Sequence, residues 1–261
     1  MRQIVAIAQN TFREAVRNRI FAALIFFALC MLGITLAMSS ASLHEEIRLM
    51  KDVGLFLTSS ASVFIAIFTG VNLVYKELER KTIYTIMSKP IHRPQFLAGK
   101  YLGLAATMSI LVGFMGMVLM GLLYMVGGAP SVAMLQAIWL LYVEVLIVLA
   151  VAMVFSSFST PFLSGLMTLG VFLVGRFVDV LGSLELGRPE ERTDLTRLVS
   201  ATVRWVTRVV PDLSVYNVTP QVVYERPMGY EFVFEATVAG LTYAGLAFIV
   251  AAVLFGRRDF V

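Results

Sequence analysis

Residues 132–155 read VAMLQAIWLLYVEVLIVLAVAMVF, a run without glycine or proline whose only charge is Glu144. About 20 mostly apolar residues suffice for a helix to cross the hydrocarbon core of a bilayer. The run does not alternate polar and apolar residues over ten-residue segments, as a strand of an outer-membrane barrel would. It reads as a membrane-spanning α-helix with an acid near its middle. Five further runs have the same character: Ile20–Ala41, Val53–Tyr75, Phe96–Val126, Phe162–Leu181 and Ala236–Gly256. Six expected spans fill most of the 261 residues and leave no room among them for a separate soluble domain. The third is longer than one crossing needs, so it is expected to tilt, or to begin along the surface after Pro94 and bend near Gly113 and Gly116.

Composition agrees. The chain is 59% hydrophobic and 15% charged, against about 25% charged for ordinary globular domains. Water-soluble enzymes, disordered chains and disulfide scaffolds fit poorly. Cys30 is the one cysteine and lies in an apolar run, and His44 and His92 fall on opposite sides of the membrane. No His/Cys metal site assembles from these. The 14 methionines invite a Cu(I) reading, since thioethers suit that ion. Five lie in the third span (Met108, Met115, Met117, Met120, Met125), but no Cys or His joins them, and adaptable packing is the better account.

Before the first span, Ile4, Ile7, Ala8, Thr11, Phe12, Ala15 and Val16 share one helical stripe, and Gln9, Asn10, Arg13, Glu14 and Arg17 the other. This predicts an amphipathic helix over 1–19 lying in the membrane interface. The competing reading is a secretory signal, because LAMSSAS follows the first apolar run. That run exceeds the roughly 7–15 residues of a signal core, so the span is expected to be retained.

Charge sets the orientation. Segments 1–19, 76–100 and 257–261 carry twelve of the 21 Lys and Arg and four acids; segments 42–52 and 183–235 carry eight basic residues and eleven acids. The basic set is expected to face the cytoplasm, with both termini there. The net +4 is then an orientation signal and no sign of a nucleic-acid partner.

Two loops are informative. From Lys76 to Gly103 the chain reads KELERKTIYTIMSKPIHRPQFLAGKYLG. A short helix is expected in its first half, with Glu77 and Glu79 near the start, where the dipole favours anions. Ile83, Ile86 and Met87 lie on one face with Tyr84 beside them, and Lys89-Pro90 ends the helix. Apolar residues at helical spacing in so exposed a place point to docking in a partner groove. In the segment 183–235, Thr193 or Asp194 caps an expected surface helix with Leu195, Leu198, Val199, Thr202, Val206, Val209 and Val210 on one stripe. Trp205 suits an interface position. Pro211-Asp212 stops it, and an irregular cap with Pro220, Pro227 and Gly229 precedes the last span. A substrate gate and a structural lid both fit this segment.

The run Glu79-Arg80-Lys81-Thr82-Ile83, then Ser88-Lys89-Pro90-Ile91, Arg93 and Leu97-Ala98-Gly99-Lys100, resembles the cytoplasmic loop of ABC-2 type ABC transporter permeases. Many members carry Gly before the Thr; this chain has Lys81, as a subset with a basic pair does. The amphipathic arm resembles the family's elbow helix, and Phe255-Gly256-Arg257-Arg258-Asp259-Phe260 its usual ending. Pro211, Leu213, Tyr216 and Asn217 resemble a Pro-x-Leu, aromatic, Asn motif before the last span. The resemblance implies an all-α integral membrane fold of six transmembrane helices in one permease domain over 1–261: an elbow helix at 1–19, a coupling loop at 76–95, and an extracytoplasmic helix and cap at 183–235. It implies a bacterial plasma (inner) membrane location, a second copy or similar permease, membrane lipid, and a P-loop ATPase subunit carrying ATP and Mg. On this reading Glu77, Glu79, Arg80, Lys81, Thr82, Ile83, Tyr84, Ile86, Met87, Pro90 and Arg93 form the ATPase-coupling surface. The sequence has no G-x-x-x-x-G-K-[ST] run, so the chain is not expected to act as an enzyme alone, or to bind a cofactor or metal.

Within the spans, Glu144 costs at least about 2.5–3.5 kcal/mol on insertion scales and is a functional candidate. Arg176, nearer the outer face, is its candidate partner; the alternative is a protonated Glu144 bonded to a Ser or Tyr. Asn72 reads as interhelical glue rather than a ligand. The rival classes are an ion-coupled secondary transporter, an integral membrane enzyme and a membrane scaffold anchoring a cytoplasmic complex. The first would want broken helices and often an internal repeat, and no repeat is detectable between the two halves. The second would want a polar cluster at one depth, where only Glu144 stands.

Overall fold

The computed structural model describes residues 2–17, 19–39, 46–79, 93–129, 131–178, 210–226 and 228–257. Among them no strand occurs. The helices are α1 (Arg2–Arg17), α2 (Arg19–Ser39), α3 (Glu46–Glu79), α4 (Arg93–Met125), α5 (Val132–Ser156), α6 (Pro161–Arg176), the short α7 (Thr219–Val223) and α8 (Tyr230–Arg257), with a 3-10 turn at Ser214–Tyr216. Four of them, α3, α4, α5 and α8, are long and apolar enough to cross a membrane; α1 and α2 form a pair bent by 61° that makes a fifth candidate span. Helix α6 is apolar but has 16 residues, about 24 Å of rise.

Helix α5 is the axis of the bundle. Every residue from Val143 to Met153 is buried, as its uniform hydrophobicity predicts for a helix covered on all sides. Ser131 caps its start, accepting the Met134 N–H at 3.3 Å. Aromatic side chains tie the neighbours to it. Tyr101 and Tyr142 donate to the carbonyls of Leu146 and Ala105 at 3.1 and 3.2 Å, joining α4 and α5. Trp139 Nε1 donates to Thr237 Oγ1 at 3.0 Å, joining α5 and α8. In a bilayer such bonds hold helices together where lipid gives no hydrophobic drive.

The two ends of the bundle differ. At one, Leu97, Met153, Ala251 and Phe255 pack together, and Ala15 joins Leu104 and Leu149. Here α1, the start of α4 and the ends of α5 and α8 meet, with their arginines and lysines; we call it the basic end. The opposite end holds the start of α3, the α4–α5 turn and residues 210–226.

Several boundaries move from those expected. Helix α3 starts at Glu46 and runs to Glu79, with no proline to interrupt it. Glu77 and Glu79 therefore sit in the last turn of α3, not at the start of a separate helix. Helix α4 is continuous through Gly113 and Gly116, and Pro94 is tolerated in its first turn. Gly116 serves packing rather than bending: a Cβ there would stand 2.7 Å from Ile138 Cδ1 on α5. Helix α8 begins at Tyr230, ahead of the expected Ala236. The apolar stripe of α1 packs in part against the bundle: Thr11 and Ala15 are buried, Ile4, Ile7, Ala8 and Phe12 half-buried, and Val16 exposed.

Candidate functional site

Glu144 lies at the middle of α5 with 1% of its side chain exposed. Arg176, the last residue of α6, donates from Nη1 to Glu144 Oε1 at 2.6 Å. Ser59 of α3 donates to the other carboxylate oxygen at 3.4 Å. Three helices thus converge on one acid, and the two intramembrane charges singled out from the sequence are brought together. Helix geometry explains the reach. Arg176 stands at the end of α6, and a long arginine stem lets its head travel several ångströms from the backbone.

The chain returning after α6 closes this site from the end opposite the basic one. Leu213 N–H donates to the Gly175 carbonyl at 3.0 Å. A Cβ on Gly175 would meet the Pro211 carbonyl oxygen at 2.6 Å, so only glycine lets the returning strand lie so close. Asp212 Oδ1 accepts from Ser214 N–H at 3.0 Å and Ser214 Oγ at 2.6 Å, starting the 3-10 turn. Leu213, Tyr216, Val218 and Val222 then enter the main core. The Tyr216 hydroxyl donates to the Ala236 carbonyl of α8 at 3.1 Å. It sits in a notch at Gly240, where a Cβ would stand 2.6 Å from it and also run into Val143 beside Glu144. Pro211, Leu213 and Tyr216 of the motif are buried and form a plug against α6 and α8 at this end of the bundle, while Asn217 is exposed.

A second polar contact fastens the same end. Lys51 of α3 is buried, and its Nζ donates to Glu225 Oε1 at 2.9 Å. Glu225 follows α7 with φ +52°, a left-handed conformation costly to a residue with a Cβ. The hydrogen bond and charge of Lys51 hold the exposed Glu225 carboxyl below its ordinary range. Lys51 was unremarkable in the sequence, where it reads as one of several loop charges.

Of the other residues singled out, Asn72 donates to the Phe68 carbonyl of its own helix at 2.8 Å, an intrahelical bond rather than the expected interhelical one. Met108 and Met115 are buried core residues, but Met117 and Met125 are 72% and 82% exposed and so do not pack the interior. Glu77 and Glu79 end α3 and Arg93 opens α4. Arg80, Lys81, Thr82, Ile83, Tyr84, Ile86, Met87 and Pro90 lie outside the described residues, as does the expected surface helix from Thr193 to Val209.

Four to five helices long and apolar enough to cross a membrane, packed around a buried charge pair, make this a multi-pass helical membrane protein. The sequence model of the family described as "ABC-2 family transporter protein" matches residues 5–260. The chain belongs to this family, and is accordingly a membrane transport component; permeases of the family generally work with an ATPase subunit. Among curated proteins no match was found.

Proposed function

We propose that the chain is the membrane subunit of an ATP-driven exporter, powered by a separate P-loop ATPase docked on the 76–95 loop. What carries this reading is the family match over residues 5–260. The geometry supports it: α3 and α4, the two longest helices, both run to the basic end and flank residues 80–92. A push there acts directly on the helices that pack against α5. On this reading α2 and α6 complete six spans, both termini face the cytoplasm of a bacterial plasma membrane, and α1 is the elbow helix. ATP and Mg reside on the ATPase, and two such permeases, alike or similar, form the pathway. The Glu144–Arg176 pair and its plug then hold the extracytoplasmic side closed at rest.

The test is co-purification of the ATPase with the permease. Glu79→Ala combined with Ile83→Asp should abolish it while leaving the permease in the membrane. Survival of both the complex and its ATPase activity would sink the docking assignment.

A further inference from the structure

Gly99 and Lys100 matched a family motif by sequence without a role, and the structure gives them one. Helix α1 lies against the first turns of α4 along two glycines one turn apart. A Cβ on Gly99 would stand 2.7 Å from Ile7 Cβ and 3.0 Å from the Ile4 carbonyl oxygen; one on Gly103 would stand 2.6 Å from the Ala8 carbonyl oxygen and 2.7 Å from Thr11 Cβ. The α1 backbone therefore rests on the α4 backbone itself, the close approach that a small-xxx-small spacing permits. Thr11 is fully buried in this seam. One turn further along α4 the residue is Thr107, also fully buried. A slide of α1 by one turn toward the far end of α4 would set Thr11 against the branched Thr107 in place of Gly103, so the glycines bar movement in that direction.

Charge marks the same register. Lys100, between the glycines, is buried, with its Nζ 3.9 Å from Glu14 of α1 and 5.5 Å from the centre of the Phe96 ring. Beyond the seam Ala15 packs on Leu104 and Leu149. Helix α4 opens at Arg93, where the 76–95 loop ends.

We propose that the Gly99–Gly103 seam makes α1 and the first turns of α4 one rigid unit throughout the transport cycle, with Gly99, Gly103 and Lys100 as positioning residues. A displacement delivered to the loop then carries α1, and through it α2, together with α4. The inference rests on the ATPase-docking reading above and adds to it a path into the first span. An interfacial helix floating on the surface would instead slide or tilt against α4 as the bundle moves.

The experiment uses the permease–ATPase complex in nanodiscs with Cys30 replaced by Ser. Spin labels are placed at exposed positions: Asn10 with Tyr124 at the far end of α4, and separately Asn10 with Phe56 on α3. Distances are compared between nucleotide-free and ATP–vanadate-trapped states. The Asn10–Tyr124 distance should stay within about 2 Å, little more than the rise of one helical residue, while Asn10–Phe56 shifts by more. Gly103→Leu should broaden the Asn10–Tyr124 distribution and make it nucleotide-dependent with the ATPase still bound. Should that variant fail to assemble, Gly103→Ala supplies the same comparison with one methyl group. An Asn10–Tyr124 distance that changes as much as Asn10–Phe56 in the parent overturns the rigid unit and leaves the docking assignment intact. So does a narrow, unchanged distribution in the glycine variants. A parent that binds no ATPase overturns the docking assignment, and the seam's transmitting role with it.

Discussion

Removing the two partners of the Glu144–Arg176 pair one at a time should cost more in sum than removing both together. At 2.6 Å and an effective dielectric constant near 20, the gross attraction between the charges is about 6 kcal/mol. Much of that only offsets the cost of bringing both ions out of water. The single variants are unequal. Arg176→Met leaves a carboxylate 1% exposed with the Ser59 hydroxyl at 3.4 Å, and should cost about 3–5 kcal/mol, the loss expected for an unpaired buried charge. Glu144→Gln leaves a guanidinium at the end of α6 that can turn toward the headgroups, and should cost less, roughly 1–3 kcal/mol. The double variant removes both charges at similar volume and should fall at least about 2 kcal/mol short of the sum of the singles. Equilibrium unfolding by SDS in mixed micelles, read by circular dichroism, measures all four proteins. Costs that add to within about 0.5 kcal/mol, or a milder loss for Arg176→Met than for Glu144→Gln, would refute the reasoning.

Two further perturbations probe the plug and its fastening. Gly240→Ala places a methyl group against Val143 and 2.6 Å from the Tyr216 hydroxyl, and should lower stability in the same assay by about 1–3 kcal/mol. Adding Tyr216→Phe, which removes one of the clashing atoms, should cost less than the two changes summed. At Glu225, Lys51 lowers the carboxyl pKa from its ordinary 4.5, so the folded state favours the ionised form. That contribution is full above the ordinary value and fades as pH falls through the lower folded one. The stability gap between wild type and Glu225→Gln should accordingly be constant at neutral pH and close on acidification; a gap that widens in acid contradicts the assignment.

The four or five long apolar helices were legible because burial in lipid or protein demands the same unbroken apolar runs, and Glu144 and Arg176 stood out as charges within such runs. Their pairing needed α5 and α6 to be adjacent, which a tight connection at Ser157–Thr160 makes natural. Helix ends were less legible. Glu46, Arg48, Lys51 and Asp52 look like a loop by polarity, yet α3 runs through them, and Lys51 meets Glu225, 174 residues away. The apolar stripe on α1 is legible from its period, but its cover is not: Thr11 and Ala15 are buried against the rest of the chain. Periodicity reports that a face is apolar, not whether acyl chains or another helix cover it. Gly103, Gly175 and Gly240 carry no signature in one dimension, and the motif that includes Gly99 does not say what packs on it, since what each admits is a backbone or a side chain from elsewhere in the chain.

The burial of Glu144 also constrains how the protein is assembled during synthesis. Arg176 follows Glu144 by 32 residues, about 2–6 s of translation at typical rates. Ser59 precedes Glu144 by 85 residues, so α3 is available to receive the acid before its cation exists. The Leu213–Tyr216 plug is made later still, and the Ala236 carbonyl and Gly240 notch that hold it come last, on α8. The centre of the bundle is thus completed by its final helix. An insertion intermediate halted before Tyr230 would lack the Ala236 carbonyl that accepts the Tyr216 hydroxyl and the Gly240 notch that admits it.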